Sequence, residues 1–274
     1  MTIVTLLTDF GEKDGFTGMM KGVIWSIAPH VQIADLTHEI EPQNIRQAAI
    51  ILSQAAPYFP DGSIHVAVVD PGVGTSRRSI ALAALNQYFV GPDNGIFSLI
   101  LRQAEDRSSR VAAVSLDKPD FWLPMVSRSF HGRDIFSPVA AHIANGRALN
   151  EMGTPLHEDD LVSIQVPAPV RTTDGWQGEI IAIDHFGNLI TNLNEQHLLH
   201  RQRVNLKVGS ITLTEISQTF GSSNPGDIVA MVDSSGQVAI AVVNGNAAAS
   251  LNAKVGDPIT LIEPHRNPRE SNAG

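Results

Sequence analysis

The spacing of apolar residues changes character once along this chain, and that change limits what it can fold into. Up to about Leu156, short β-branched runs alternate with segments whose apolar residues recur at helical spacing. Beyond it the helical spacing disappears, and short apolar runs follow one another between Gly, Asn, Asp and Ser. The first pattern predicts an α/β domain with a mostly parallel sheet covered on both faces, over residues 1–165. The second predicts a smaller all-β domain, a barrel or sandwich, over residues 176–264. The segment VPAPVRTTDG (166–175) carries turn formers and reads as a linker, and the last residues, 265–274, read as a disordered tail. A chain of 274 residues with 43% hydrophobic composition can bury one large core or two smaller ones.

Within the first pattern, IVTLLT (3–8) is a buried strand that stops at Asp9-Phe10-Gly11. Phe16, Met19, Met20, Val23, Ile24 and Ile27 mark a helix that Pro29 ends. Strands follow over 31–36 and 64–69, with a helix at 45–56 between them, and the second strand stops at Asp70-Pro71-Gly72. Residues 80–85 and 88–90 read as a hairpin around Asn86. Helices at 97–104 and 135–144 flank a strand at 111–114. In open α/β sheets ligands bind beyond the carboxyl ends of the strands. Asp9 and Asp70 both fall there.

Composition removes several classes of function. There is no cysteine, so disulfides, thiolate metal sites and a cysteine nucleophile are excluded. Net charge is −9, and the only adjacent cations that stand out are Arg77 and Arg78. That is no footprint for nucleic acid, and it suits a cationic small molecule. No run of about 18 apolar residues exists to span a membrane, and the first residues lack the features of a signal peptide. The expected compartment is the cytoplasm. Charged residues are 17%, below the usual ~25%, which fits either a core-rich monomer or a chain with subunit contacts.

Five segments are more polar and glycine-rich than their positions require. TDFGEKDGFTG (8–18) joins strand to helix with two carboxylates. A carboxylate at a strand end can hold a ribose diol, and Asp14 equally suits a helix N-cap. VVDPGVGTSRR (68–78) is a stiff loop from which Arg77 can fold back to Asp70, as ligand-binding device or structural ion pair. FVGPDNG (89–95) has the composition of a plain turn. SFHGRDIF (129–136) sets His131 before a helix start, where an imidazole can handle protons. IDHFGNLITN (183–192) gathers Asp, Asn and Thr as for a zwitterionic amino acid, or as a hairpin turn on Gly187-Asn188. No spacing demands a metal ion.

VVDPGVGT, VGPDNG, SFHGRD and IDHFGN in this order resemble the S-adenosylmethionine hydrolase family, the hydroxide adenosyltransferases related to fluorinase and chlorinase. The resemblance runs from Thr8 to about Asp257. It implies hydrolysis of S-adenosyl-L-methionine to adenosine and L-methionine, with no cofactor besides the substrate. It implies that Asp70, Arg77 and His131 hold and activate the nucleophilic water. On this basis Arg77 and His131 would bind the water and favour its hydroxide form, Asp70 orienting Arg77, and a neutral His131 could instead accept the proton. The halogenating relatives lack this set. By the same resemblance Asp9 binds the ribose diol, and Asp14 contacts the methionine amino group. Ser129 and Phe130 line the nucleophile pocket. Asp184 and Asn188 clamp methionine, and Phe220 packs on adenine. Ser234, Asn246 and Ala247 fall where relatives bind the adenine and methionine ends, with extra residues here around 242–245. Similar proteins are homotrimers with sites between subunits. A halide-dependent adenosyl transferase and a non-catalytic adenosine-binding protein are the rival readings; neither needs the Asp70–Arg77–His131 set.

Overall fold

The computed structural model describes residues 2–198 and 203–263, the Phe220 side chain excepted. The chain divides into two compact units, Met1–Val166 and Pro167–Gly274. The expected tail at 265–274 lies outside the described residues.

The first unit is built on strands β1 (Ile3–Thr8), β2 (Gln32–Thr37), β3 (Ile64–Val68), β4 (Ser79–Ala84), β5 (Gln87–Pro92), β6 (Ala112–Ser115) and β7 (Thr154–Leu156). They form one sheet in the order β2-β1-β3-β5-β4-β6-β7. Pairing is parallel from β2 to β5 and antiparallel from β5 to β7, so the sheet is mixed. The antiparallel half begins at the β4–β5 hairpin, whose turn residues Leu85 and Asn86 both have positive φ. That is the twist a two-residue hairpin needs, and Asn tolerates it well. β7 was not legible in the sequence: it is three residues long with Pro155 at its centre, at the sheet edge where a missing donor costs nothing.

Helices α1 (Phe16–Ile27), α2 (Ile45–Ala55), α3 (Ser98–Asp106) and α4 (Ser137–Ala144) cover the sheet. Alternation along the strands builds two cores. Leu6 and Val68 face one, with Met20 and Ile24 of α1 and Val139 of α4. Leu7 and Val69 face the other, with Leu52 of α2 and Ile100 of α3. Each such fully buried aliphatic side chain contributes about 1.5–3 kcal/mol. Because both faces are covered, ligand access is left to the loops at the strand ends.

The second unit contains β8 (Val170–Thr172), β9 (Gly175–Ile183), β10 (Leu189–Asn194), β11 (Arg203–Val208), β12 (Ile211–Ser217), β13 (Ile228–Val232), β14 (Gln237–Val242) and β15 (Pro258–Ile262). The order β10-β14-β13-β12-β11-β15-β9 closes on itself through a β9–β10 pairing, giving a seven-stranded barrel. Its interior holds Ile180, Leu189, Leu206, Ile240 and Ile259. The segment expected to be a linker instead supplies β8, paired to β9. Arg171 on β8 lies over the Trp176 ring and pairs with Glu263, 92 positions away, contacts that turn composition does not announce. Two short helices, α5 (Glu195–Leu198) and α6 (Ala247–Leu251), were also unexpected.

Candidate active site

Asp9 and Asp70 sit just past the carboxyl ends of the adjacent parallel strands β1 and β3, and both line one cleft of about 320 Å³. Ser129, Phe130 and His131 complete its wall, together with Phe10, Gln43 and Pro71. Four separate segments of chain therefore meet where the sheet topology predicts a ligand site.

The loop after β3 reverses in two turns. Val73 donates its N–H to the Asp70 carbonyl at 3.2 Å, and Thr75 its N–H to that of Gly72 at 3.2 Å. Gly72 leaves room for the Arg77 stem, since a Cβ there would lie 3.2 Å from Cγ. Gly74 has φ +76, and a Cβ on it would overlap the Arg128 carbonyl oxygen. The result is that Arg77 folds back over Asp70. Its Nε donates to both carboxylate oxygens, at 2.8 and 3.0 Å, and Nη2 donates to Oδ2. Nη1 donates to Ser79 Oγ at 2.7 Å, and the guanidinium lies 5.4 Å from the Phe136 ring centre. The side chains of both partners are largely shielded from solvent.

Arg77 Nη2 also lies 2.8 Å from His131 Nδ1. A guanidinium can only donate, so Nδ1 accepts and the neutral ring carries its hydrogen on Nε2. Burial lowers the His131 pKa first, and the Arg77 charge lowers it further, against the opposing pull of Asp70 and Asp134. The ring is thus held neutral in one tautomer.

His131 owes its position to a knot in the 127–136 segment. The buried Asp134 carboxylate accepts from Ser127 N at 2.8 Å, Ser127 Oγ at 2.7 Å and Arg133 Nε at 2.6 Å. Burial works to raise the Asp134 pKa, but these donors and the Arg133 charge bring it below the ordinary value. Residues Gly132–Phe136 form one π-helical turn, a rare form often found at functional sites. Neither feature has a signal in the residue spacing. Phe10, Phe16 and Phe130 pack edge to face beside the cleft, with centroids 5.3–6.0 Å apart.

Asp9 accepts the Gln43 backbone N–H on Oδ2 at 2.8 Å. Gln43 has φ +68, uncommon for a residue with a side chain, and it was not foreseen as a site residue. Asp14 is exposed and outside the cleft lining. It is not an N-cap either: α1 is capped at Gly15, in the left-handed conformation with no side-chain bond.

In the barrel unit, Asp184 Oδ1 accepts Phe186 N at 2.9 Å and Asn188 N at 2.8 Å, and Oδ2 accepts Asn188 Nδ2 at 2.7 Å. Gly187 abuts Asn246, which caps α6 by accepting Ala249 N at 2.8 Å. Ala248 N donates to Gly187 O at 2.9 Å. Asp184, Asn188, Asn246 and Ala247 therefore form one assembled loop cluster, with Phe186 exposed on it. Ser234 is in the β13–β14 turn, at the other end of β14 from Asn246. The Phe220 side chain lies outside the described residues. Among the described residues, no group of three or more His, Cys, Asp or Glu is placed to hold a metal, and no helix is long and apolar enough to cross a membrane.

Comparison with known proteins fits this geometry. Residues 4–153 match the SAM hydroxide adenosyltransferase N-terminal domain, and residues 178–260 match its C-terminal domain. The chain belongs to this family. It is 41% identical to the (R)-S-adenosyl-L-methionine hydrolase of Salinispora tropica, over 94% of this chain and 97% of that one. It is 37% identical to the enzyme of the same name from Thermus thermophilus, over 96% and 100%. A fluorinase from Actinoplanes is 25% identical over 95% and 97%. Among solved structures, an uncharacterized conserved protein from Thermotoga maritima superposes with a TM-score of 0.88 at 34% identity, covering 95% of this chain and all of that one. The family's two domains thus coincide with the sheet unit and the barrel unit.

Proposed function

We propose that this chain hydrolyses S-adenosyl-L-methionine to adenosine and L-methionine by in-line attack of hydroxide or water on ribose C5′. The observation that carries the reading is the hydrogen-bonded Asp70–Arg77–His131 set, whose Asp70 and His131 line one cleft with Asp9. The C5′–O bond forms as the C5′–S bond breaks, and the electron pair goes to sulfur. Methionine leaves as a neutral thioether, so no acid is needed. The barrier lies in supplying and aligning the nucleophile. Hydroxide meeting a sulfonium cation annihilates charge, which a water-poor cleft favours.

Asp70 orients the guanidinium, and Arg77 supplies fixed positive charge near the nucleophile. Of the two roles open to His131, favouring hydroxide and accepting a proton, the Arg77 contact supports the first. With Nδ1 occupied by Arg77, its Nε2–H is a donor, which favours a bound hydroxide over neutral water. The released proton goes to solvent.

Asp9 takes the ribose diol in this reading. Ser129 and Phe130 bound the nucleophile pocket. Asp14, Asp184, Asn188, Phe220, Ser234, Asn246 and Ala247 serve the methionine and adenine ends, with the Asp184 cluster the most fully assembled part. No cofactor is required. A homotrimer with sites completed between subunits, working in the cytoplasm, is part of the proposal. So is preference for the (R) epimer at sulfur, which the names of the relatives support.

Incubation in H₂¹⁸O with each sulfonium epimer, followed by chromatography and mass analysis, tests the reading. The expected products are methionine without label and adenosine carrying one ¹⁸O at the 5′ oxygen, formed faster from the (R) epimer. Label in methionine, or intact substrate, would sink it. Chloride-dependent 5′-chloro-5′-deoxyadenosine would instead favour the halide reading, and adenosine binding without turnover the sensor reading.

A further inference from the structure

His38 has no part in the chemistry above, yet it is buried at the edge of the site. It follows β2, and its neighbourhood is a continuous polar chain running from the surface to the residue before Asp9. On α1, Lys21 Nζ donates to Asp35 Oδ2 at 2.5 Å. Asp35 Oδ1 lies 3.1 Å from His38 Nε2. On the other side of the ring, His38 Nδ1 lies 2.9 Å from Thr8 Oγ1. Thr8 Oγ1 in turn accepts the Phe10 backbone N–H at 3.3 Å.

Asp35 stands beside Nε2 without the alignment of a hydrogen bond. The bond between Nδ1 and the Thr8 hydroxyl leaves Thr8 Oγ1 a lone pair for the Phe10 N–H. The main chain adds a further tie, since Gly11 N–H donates to the His38 carbonyl at 2.8 Å. The four-residue segment 8–11, which carries Asp9, is therefore held by His38 through both its side chain and its backbone. Gln43 N–H fixes the carboxylate from the opposite direction.

From this geometry we infer that His38 is a positioning residue for substrate binding, setting the place of the Asp9 carboxylate through Thr8. The inference rests on the reading that Asp9 binds the ribose. A carboxylate that must meet two adjacent hydroxyls has little tolerance for displacement, and support from buried hydrogen bonds is what supplies that accuracy. Arg77 and His131 belong to other segments, so loss of His38 affects binding and leaves the nucleophile side in place.

The test is a set of Michaelis measurements with S-adenosyl-L-methionine on the full chain. His38→Ala, His38→Asn and Thr8→Val are each made alone and on an Asp9→Ala background, with thermal midpoints recorded alongside. His38→Ala and Thr8→Val should raise KM about tenfold with kcat within about threefold, the pattern of lost ground-state binding. His38→Asn keeps a hydrogen-bonding group near the Nδ1 position and should recover much of the loss. On the Asp9→Ala background none of the three should raise KM further. Thr8→Val removes a single hydroxyl and carries the test if His38→Ala fails to fold. An unchanged KM in Thr8→Val, or equal increments with and without Asp9, would overturn the positioning role alone. An unchanged KM in Asp9→Ala would overturn the ribose reading and this inference with it.

Discussion

Arg77 and Arg78 are neighbours in the chain and have opposite fates. Successive side chains entering a strand point to opposite faces, and here that alternation separates chemistry from architecture. Arg77 folds back to bond Asp70 and His131, both of which line the cleft. Arg78 turns away and pairs with Asp93, donating through Nε at 2.8 Å. Asp93 also accepts Val162 N at 2.9 Å, and Arg78 donates to the Asp160 carbonyl. One ion pair reaches a histidine on the cleft wall and holds its Nδ1. The other ties the 160–162 segment to the end of β5 and has no access to the cleft. A buried Asp–Arg pair is thus no sign of function by itself; what the guanidinium does with its remaining N–H groups decides.

This comparison can be broken from the structural side first. Asp93→Ala should cost the most, toward the lower end of the ~3–5 kcal/mol for removing one partner of a buried pair, because Arg78 keeps some solvent. Denaturant midpoints measure it, and kcat of the folded fraction should stay within about threefold.

A parallel contrast separates two histidines. His65 is fully buried in the sheet, stacked on Phe89 at 5.0 Å, and burial drops its pKa to about 4. The unfolded chain, with a pKa near 6.5, then binds the proton more tightly than the folded one. Stability should therefore be intact above about pH 6.5 and fall as pH drops toward 4, by up to about 3 kcal/mol. His65→Leu should flatten that part of the stability curve; an unaltered slope would remove His65 as its cause.

On the catalytic side, His131→Ala should lower kcat by roughly a hundredfold or more, about 2.7 kcal/mol, with a smaller change in stability than Asp93→Ala. A variant that unfolds as readily as it loses activity would erase the distinction. The smallest effect concerns pH. His131 must be neutral to accept from Arg77, and its pKa is lowered, so activity should persist below pH 6.5 before falling on the acid side. His131→Asn, which cannot titrate, should lose that acidic limb.

Much of this was legible in the residues. The apolar runs that end at Asp9 and Asp70 locate two carboxylates at neighbouring strand ends, and the barrel's strands follow from their alternation. The plain-turn reading of 89–95 holds only for its end: 89–92 belong to β5, and Asp93, Asn94 and Gly95 make the turn, with Asn94 Nδ2 donating to the Val69 carbonyl at 2.8 Å. What escaped depends on contacts that residue composition does not mark. Gln43 reaches Asp9 across 34 positions, and its left-handed backbone has no compositional marker. Asp134 looks like half of a surface Arg-Asp pair until the fold buries it against Ser127. β8 is a strand only because β9 lies beside it.

The meeting of Gly74 with the Arg128 carbonyl has a consequence for anyone redesigning this pocket. Two loops in van der Waals register behave as one hinge-free wall, so a side chain at position 74 cannot be accommodated by local adjustment. It would push the 127–131 ribbon outward and carry the imidazole with it. Widening the cavity for a bulkier nucleophile thus calls for paired changes in both loops, made together.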